Sequence, residues 1–353
     1  MKKIRFAIVG AGVISTCHAQ AVLNDDRAEL AAVCDVAKEK AEALAQKFKI
    51  PGIYTDLDEM LKKSGVDAVC ICTPSGLHGK DVIASAKAGK HIFCEKPLDI
   101  RTDVMDDMIQ AVGENKVKMG CVFQNRTMPG LKKAKEILDS GKLGRMLIVE
   151  CQYRGFRSPA YYKSAGWRGT RAIDGGGCLM NQGIHAIDAL CWLAGDVDSV
   201  YAVADHMSRD IEVEDMANAL VEFRNGAKGV IMGTTLSNTV EKSPEGDYFR
   251  FECEKGSIIY SGGSTTLYVR ENYSSDIRTE SLDADALMAD GSSTSDPKRI
   301  NDNGHSVLVG DLISAIIEDR APYITGESAR KGVDLVLAIY ESARLEKRIK
   351  LRD

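Results

Sequence analysis

From the N-terminus, the chain first alternates short continuous apolar runs with amphipathic stretches. Ile4–Val9, 29–34, 67–72, His91–Cys94 and 117–122 read as strands; Ser15–Leu23, 37–48, 56–63, 78–88 and 102–112 read as helices. Unbroken apolar strands separated by amphipathic helices are what a parallel sheet covered on both faces requires. The pattern therefore predicts a doubly wound α/β domain over residues 1–124. Beyond it the texture changes. A helix over 129–140 and a strand over Met146–Arg154 lead into an irregular Gly/Arg/Tyr-rich stretch from 155 to 177, then a helix over 179–193. From 199 to 270 strand-like runs follow one another without helices. Ala217, Ala219, Val221 and Phe223 alternate with Asn218, Leu220 and Glu222, and Asn225-Gly226 supplies a tight turn. Runs 249–253 and 257–260, split by Lys255-Gly256, predict a second hairpin. This is a mixed, largely antiparallel sheet in an α+β domain over 125–353, with one sheet face available to a partner or a second subunit. A polar loop over 281–302 precedes closing helices over 306–318 and 328–345, the last with the option of packing back on the first domain.

Composition narrows the picture. A chain of 353 residues suits two domains, and 44% hydrophobic with 27% charged residues excludes a disordered polymer. Forty-six basic against 51 acidic side chains, a formal charge of −5, give no polyanion surface, so no nucleic-acid partner is expected. Lys2 and Lys3 before an apolar stretch, with Cys17 downstream, imitate a lipoprotein leader. Arg5 and two glycines interrupt that stretch, and no run reaches the ~18 apolar residues of a membrane span. It reads as a buried strand. The 10 cysteines contain no Cys-x-x-Cys pair, and Cys34, Cys70, Cys72, Cys94 and Cys121 fall on first-domain strands. They read as small core residues kept reduced in a cytoplasmic protein. His18, His91, His206 and His305 show no metal-ligand spacing, so no metal is expected. No Gly-x-Ser-x-Gly or Cys/His nucleophile arrangement occurs.

The first strand runs into Gly10-Ala11-Gly12-Val13-Ile14-Ser15, which opens a helix. Gly10 permits the tight turn, and Gly12 lets the backbone approach a pyrophosphate seated on the helix N-terminus. Ser15 replaces the Gly or Ala usual at the third position. Asp35 closes the second strand where an acid accepts the ribose hydroxyls of NAD, and it would repel the extra phosphate of NADP. Lys38 nearby tempers that preference. The alternative for Asp35 is an ordinary strand-end residue capping the next helix.

Three further segments point to a family: Thr73-Pro74-Ser75-Gly76-Leu77-His78, Glu95-Lys96-Pro97, and Gly175 to His185 (Gly-Gly-Gly-Cys-Leu-Met-Asn-Gln-Gly-Ile-His). With Gly10–Ser15, Trp167-Arg168 and the closing Tyr340-Glu341-Ser342-Ala343-Arg344, they resemble the glucose–fructose oxidoreductase / inositol dehydrogenase / rhizopine catabolism (Gfo/Idh/MocA) family from end to end. The resemblance implies a Rossmann domain and NAD. It also implies Thr73, Pro74, His78, Glu95 and Lys96 around the cofactor, with Trp167 and Arg168 as further cofactor contacts. It makes Lys96 and His185 the catalytic pair, His185 taking the proton. Inositol dehydrogenase-like members carry Asp where this chain has Asn181. Branches oxidising the C3 hydroxyl of nucleotide-sugar acids look closer around 179–188.

The chemistry of these residue types agrees. Oxidising a secondary alcohol removes a hydride and a hydroxyl proton, so an acid/base group must stand beside the carbinol. Lys96 follows a parallel strand at its carboxyl end, where it can stabilise an alkoxide, although a surface lysine would read the same way. On the helix over 179–193 Asn181 and His185 are four apart and Asp188 three further on, so all three share a face: Asn181 would orient substrate and Asp188 would fix the imidazole tautomer. A structural histidine between Ile184 and Ile187 is the alternative. The glycine run 175–177 suggests backbone passing close to a ligand. Arg126, Tyr153, Arg154 and Tyr161 suit a sugar or its anionic substituent. The expected function is NAD-dependent oxidation of a sugar or cyclitol secondary hydroxyl by a homodimer or homotetramer built through the second-domain sheet. Two alternatives stand beside it, a redox-neutral glycoside-cleaving enzyme using NAD transiently, and a non-catalytic NAD/sugar sensor of the same fold.

Overall fold

In the computed structural model, residues 3–238, 246–270, 275–283 and 303–352 are described. The predicted loop over 281–302 lies outside them apart from residues 281–283. Contacts divide the chain into two compact units, Met1–Gln124 with Asp296–Arg330, and Asn125–Ser295 with Lys331–Asp353.

The first unit is built from β1 (Ile4–Val9), α1 (Ser15–Leu23), β2 (Ala28–Cys34), α2 (Lys38–Phe48), β3 (Gly52–Tyr54), α3 (Leu57–Lys63), β4 (Ala68–Ile71), α4 (His78–Lys87), β5 (His91–Cys94), α5 (Thr102–Glu114) and β6 (Met119–Cys121). All six strands are parallel, in the order β3-β2-β1-β4-β5-β6. The strand order reverses between β1 and β4, which is where open α/β sheets bind ligands. β4 and the apolar residues of β1 are buried because helices cover both faces. The short β3 carries no periodic signal, since Gly52-Ile53-Tyr54 is too brief for one; it forms because β2 offers an open edge at Ala32–Cys34. Cys34, Cys70, Cys94 and Cys121 lie on strands, Cys72 just past β4, and all ten cysteines are free thiols.

The second unit begins with α6 (Pro129–Asp139), β7 (Met146–Arg154), α7 (Pro159–Lys163) and α8 (Ile184–Ala194). Its sheet continues through β8 (Val197–Asp205), β9 (Met216–Phe223), β10 (Lys228–Thr234), β11 (Gly246–Cys253), β12 (Gly256–Ser261), β13 (Ser264–Val269) and β14 (Arg278–Ser281). Nine strands pair in the order β14-β13-β12-β11-β7-β10-β9-β8-β15, the last being β15 (Ile349–Lys350). Only β7 and β10 run parallel. The alternation read over 217–223 is observed: Ala217, Ala219, Val221 and Phe223 are buried, Asn218 and Leu220 exposed. α8 covers one face. The other leaves Ile148, Tyr201, Val203, Leu220 and Val230 exposed.

Two expectations change here. α9 (Asn303–Ile317) packs against α1, β5 and β6, so the sequence-distant stretch Asp296–Arg330 groups with the first unit rather than with 125–353. α10 (Gly326–Leu345) carries the boundary near its start. The helix predicted over 179–193 is broken. Cys178–Gln182 form a π turn, and α8 begins after Gly183.

Candidate active site

The carboxyl edge of the parallel sheet collects the dinucleotide-type residues of the first unit. Gly10 has φ +90°, and a Cβ there would come within 2.8 Å of the Cys72 and Thr73 backbone, so only glycine fits the turn. A Cβ on Gly12 would meet no atom within 4 Å, and Val13 beside it is half exposed. Ser15 explains the imperfect third position: fully buried, its hydroxyl donates to the Gly12 carbonyl at 2.6 Å and braces the loop. No side chain caps the N-terminus of α1, after Ile14, which leaves the outermost N–H groups of the helix to a ligand. Asp35 accepts from Ala11 N–H (2.7 Å) and Ala37 N–H (2.9 Å). It therefore both ties down the glycine loop and caps the approach to α2. Open space over Gly12, an uncapped helix and an adjacent carboxylate fit a dinucleotide.

Two first-unit residues turn inward instead. His78 was expected at the cofactor. It is 1% exposed, and its ring nitrogens lie 2.8 Å from the carbonyl oxygens of Pro97 and Thr73. The imidazole therefore ties the loop after β4 to the loop after β5. Thr73 donates its hydroxyl to Asp81 at 2.7 Å, and Pro74 leads into the turn before α4. Glu95, also expected at the cofactor, is 5% exposed and accepts from His18 and His305. Lys96, the next residue, is half-buried at the end of β5.

In the second unit, buried Glu214 builds the turn that carries Asn181 and His185. Its carboxylate accepts from Gly177 N–H (2.8 Å), Leu179 N–H (2.9 Å) and the Tyr340 hydroxyl (2.8 Å). Burial raises its pKa against those bonds. The glycine run thus answers to protein rather than ligand. A Cβ on Gly176 would lie 2.2 Å from Tyr340 Oη, and one on Gly177 would lie 1.7 Å from the Glu214 carbonyl. The π turn inserts a residue, rotating the downstream side chains by about 100° relative to an unbroken α-helix. His185 and Asp188, three apart on α8, still share a face, and the π turn shifts Asn181 relative to them.

Asp188 does not serve the histidine. It is fully buried, and both its oxygens are taken by Arg126 (2.7 and 2.5 Å), itself 3% exposed and stacked 5.9 Å from the Trp192 ring. Burial raises the Asp188 carboxyl to about 6 against the pull of that guanidinium. Arg126, expected at the substrate, is a buried structural cation. Arg154 lies on the uncovered face of the second-unit sheet. Val149, Cys151 and Tyr153 point to the covered face of β7, and the period of two sends Arg154 to the open one.

A continuous polar chain runs through the remaining candidates. Asp174 accepts from Gly169 N–H (2.8 Å) and the Asn181 amide (2.5 Å); Gln182 donates to Asn181 Oδ1 (3.0 Å) and Tyr161 Oη (3.1 Å). Arg168 Nη1 donates to the same Tyr161 oxygen at 2.5 Å. The Arg168 guanidinium also lies 4.6 Å from the Trp167 ring and 4.4 Å from that of Tyr161, while Arg157 lies 4.8 Å from the Tyr161 ring. Arg157 is 8% exposed. Neither Arg157 nor Arg168 has a carboxylate at ion-pair distance among the described residues. Sequence reading missed Arg157, Glu214 and Asp247. The first was one arginine in an arginine-rich stretch, and the other two are acids whose burial shows only in three dimensions.

Asp247 sits opposite Tyr153 across β7 and β11. It is held by the Asn125 amide at 2.5 Å with no cation beside it among the described residues, and burial pushes its carboxyl up to about 7. The unfolded value is about 4, so the native state holds the extra proton between about pH 4 and 7. Its stabilising effect is complete below that window and lost as pH rises through it. Asp247→Asn is therefore expected to remove about 2–3 kcal/mol of the stability that the wild type loses between pH 5 and 8. Urea midpoints at the two pH values check this, and parallel losses in both proteins would refute it.

No helix among the described residues is long and apolar enough to cross a membrane. Two family models match the chain: "Oxidoreductase family, NAD-binding Rossmann fold" over residues 4–123, and "GFO/IDH/MocA C-terminal domain" over 131–259. Myo-inositol 2-dehydrogenase of Thermotoga maritima is 30% identical over 236 residues, covering 65% of this chain and 67% of the relative. D-glucoside 3-dehydrogenase of Escherichia coli is 28% identical over 63% of this chain and 68% of its own. The crystal structure of the WlbA dehydrogenase from Bordetella pertussis, in complex with NADH and UDP-GlcNAcA, superposes with a TM-score of 0.85 at 32% identity over 100% of both chains. With the strand order, the glycine turn and both family models in agreement, the chain belongs to the Gfo/Idh/MocA family of NAD-binding oxidoreductases, whose relatives include sugar and cyclitol dehydrogenases.

Proposed function

We propose that this enzyme oxidises a secondary hydroxyl, at C3, of an anionic sugar derivative such as a nucleotide-sugar acid, with NAD as hydride acceptor. The observation that carries the anionic substrate is the pair of guanidiniums, Arg157 and Arg168, around Tyr161 without a carboxylate partner among the described residues. Arg157 is buried, and a buried cation left unneutralised is costly unless a ligand supplies the counter-charge. Tyr161 Oη already accepts from Arg168 and Gln182, which leaves its own proton to donate to a substrate oxygen. The full-length likeness to a dehydrogenase crystallised with NADH and UDP-GlcNAcA supports the same reading.

Gly10, Gly12, Val13, Ile14 and Asp35 would hold the dinucleotide, with Thr73, Pro74 and Lys96 on the neighbouring loops. Bound there, it supplies a hydride acceptor. The Lys96 ammonium lowers the pKa of the reacting hydroxyl and stabilises the developing alkoxide; His185 takes the proton. Asn181, oriented by Asp174 and Gln182, positions the sugar. We also propose a cytoplasmic homo-oligomer assembled through the apolar open face of the second-unit sheet, where Ile148, Tyr201, Leu220 and Val230 are exposed.

NADH absorbance during incubation of NAD with a panel of uronic acids, nucleotide-sugar acids, neutral hexosides and cyclitols tests the proposal. Turnover confined to neutral polyols would overturn the anionic reading, and cleavage of a glycoside without NADH would favour redox-neutral chemistry. Asp35→Asn keeps the side-chain shape and an acceptor for Ala11 N–H but removes the charge. The NAD over NADP preference in kcat/KM is expected to fall about tenfold or more; an unchanged ratio would disprove the ribose role.

A further inference from the structure

Lys96 stands on a buried anchor. Glu95, immediately before it, is 5% exposed and uses both carboxylate oxygens. Oε1 lies 2.8 Å from Nε2 of His18 on α1 and 3.2 Å from Nε2 of His305 on α9, while Oε2 accepts the Lys96 N–H at 3.1 Å. The two imidazoles meet edge to face with centroids 5.2 Å apart, and His18 also packs 5.2 Å from Phe93. Residues distant in sequence thus converge on one carboxylate inside the first unit.

The surroundings of the rings set their protonation. Nδ1 of both histidines is buried without a hydrogen-bond partner. A neutral ring protonated on Nε2 donates to Glu95 and leaves only a lone pair unmatched at Nδ1. Protonating either ring, or binding a metal through Nε2, would place a proton on Nδ1 with nothing to accept it. An unmatched buried donor costs about 1–3 kcal/mol, and histidine ligands of metals ordinarily give that proton to a partner. The donor atoms do lie within 4.8 Å of one another, close enough for an ion. The orphaned Nδ1 atoms decide for two neutral Nε2–H donors on an ionised Glu95. Burial depresses the His18 pKa; burial by itself would raise the Glu95 carboxyl, but the two imidazoles outweigh it and hold the carboxyl well below its ordinary range.

We propose that Glu95 is a positioning residue for Lys96. Clamped by His18 and His305, its carboxylate fixes the Lys96 amide and so the direction in which the lysine leaves β5. The clamp joins three elements, α1 behind the glycine loop, β5 before the lysine, and α9. The proposal rests on the assignment of Lys96 as the residue that stabilises the alkoxide.

The test is a double-mutant cycle on the full chain with steady-state NADH formation as readout. Glu95→Gln has nearly the same shape but turns amide hydrogens either toward Lys96 N–H or toward the two Nε2–H donors. In the wild-type background kcat and kcat/KM are expected to fall together, about tenfold or more, the signature of an interaction made in the transition state. In a Lys96→Ala background the same change should cost less than about twofold, because Glu95 acts through the lysine. An equal loss in both backgrounds, or no loss in the first, would overturn the proposal. His305→Gln, which keeps a donor, should retain near wild-type turnover, and His305→Leu should not; these carry the test should Glu95→Gln fail to fold, and equal rates for the two would count against it. Lys96→Ala at full turnover would remove the underlying assignment as well. Stoichiometric zinc retained by the protein after growth in zinc-supplemented medium would also overturn it, since a ligated Nε2 cannot donate.

Discussion

Replacing Lys96 by alanine is expected to lower kcat by about 10²–10⁴-fold, the range attached to a positioned acid/base or charge-stabilising group. The residue follows β5, and its amide is anchored by Glu95. An ammonium held there acts on the charge that develops as the hydroxyl loses its proton, so its removal should depress kcat more than it raises KM. Lys96→Arg should restore little, because a planar guanidinium delocalises the charge and demands a different geometry. NADH binding, followed by fluorescence titration, should weaken by much less than kcat falls, since the glycine turn and Asp35 are untouched. Turnover preserved in Lys96→Ala would end the assigned mechanism.

The largest expected stability loss comes from Arg126→Met, at about 3–5 kcal/mol, the cost of stranding one partner of a buried ion pair. Arg126 and Asp188 are both nearly inaccessible and share two hydrogen bonds, so the guanidinium is what makes an ionised Asp188 tolerable. Even with it, the carboxyl is raised to about 6. A group whose folded pKa lies above the unfolded value of about 4 holds its extra proton in the native state between the two values. Its contribution is present below the window and lost as pH rises through it. Without Arg126 the burial effect is unopposed and the window extends upward, so the variant should be weakest near pH 8 and recover toward pH 5. Urea denaturation at the two pH values measures this. The double change Arg126→Met with Asp188→Leu should recover most of the loss, as matched apolar replacements of buried pairs do. A loss in Arg126→Met independent of pH would show that packing on Trp192, rather than charge, dominates.

The contrast between these residues explains how far the sequence could be read. Helix α1 and strand β7 appear with the bounds read from periodicity alone, and the glycine turn sits where strand-turn-helix spacing put it. Those signals are local: apolar spacing of two or 3.6 residues and the conformational needs of a turn act over a few positions. Asn181, His185 and Asp188 were read on one helical face by the same local rule. The rule holds for His185 and Asp188 within α8, but it could not show that Arg126, distant in sequence, takes Asp188, or that Glu214 and Tyr340 shape the turn before α8. Likewise, the face that Arg154 occupies follows from the strand period once the covered face of β7 is known, but which face is covered depends on α8 packing there.

The sequence by itself determined a parallel dinucleotide-binding sheet, a largely antiparallel second sheet and the residue types for alcohol oxidation, because alternation, glycine placement and acid spacing are written in neighbouring positions. Only the tertiary structure decided which charges meet. It gave Asp188 to Arg126 instead of His185, set Glu95 between His18 and His305, moved α9 into the first unit, and left Arg157 and Arg168 without carboxylates among the described residues. The physical reason is desolvation. An isolated polar group in the chain carries no record of its partner, and burial makes that partner energetically decisive only after distant segments have packed together.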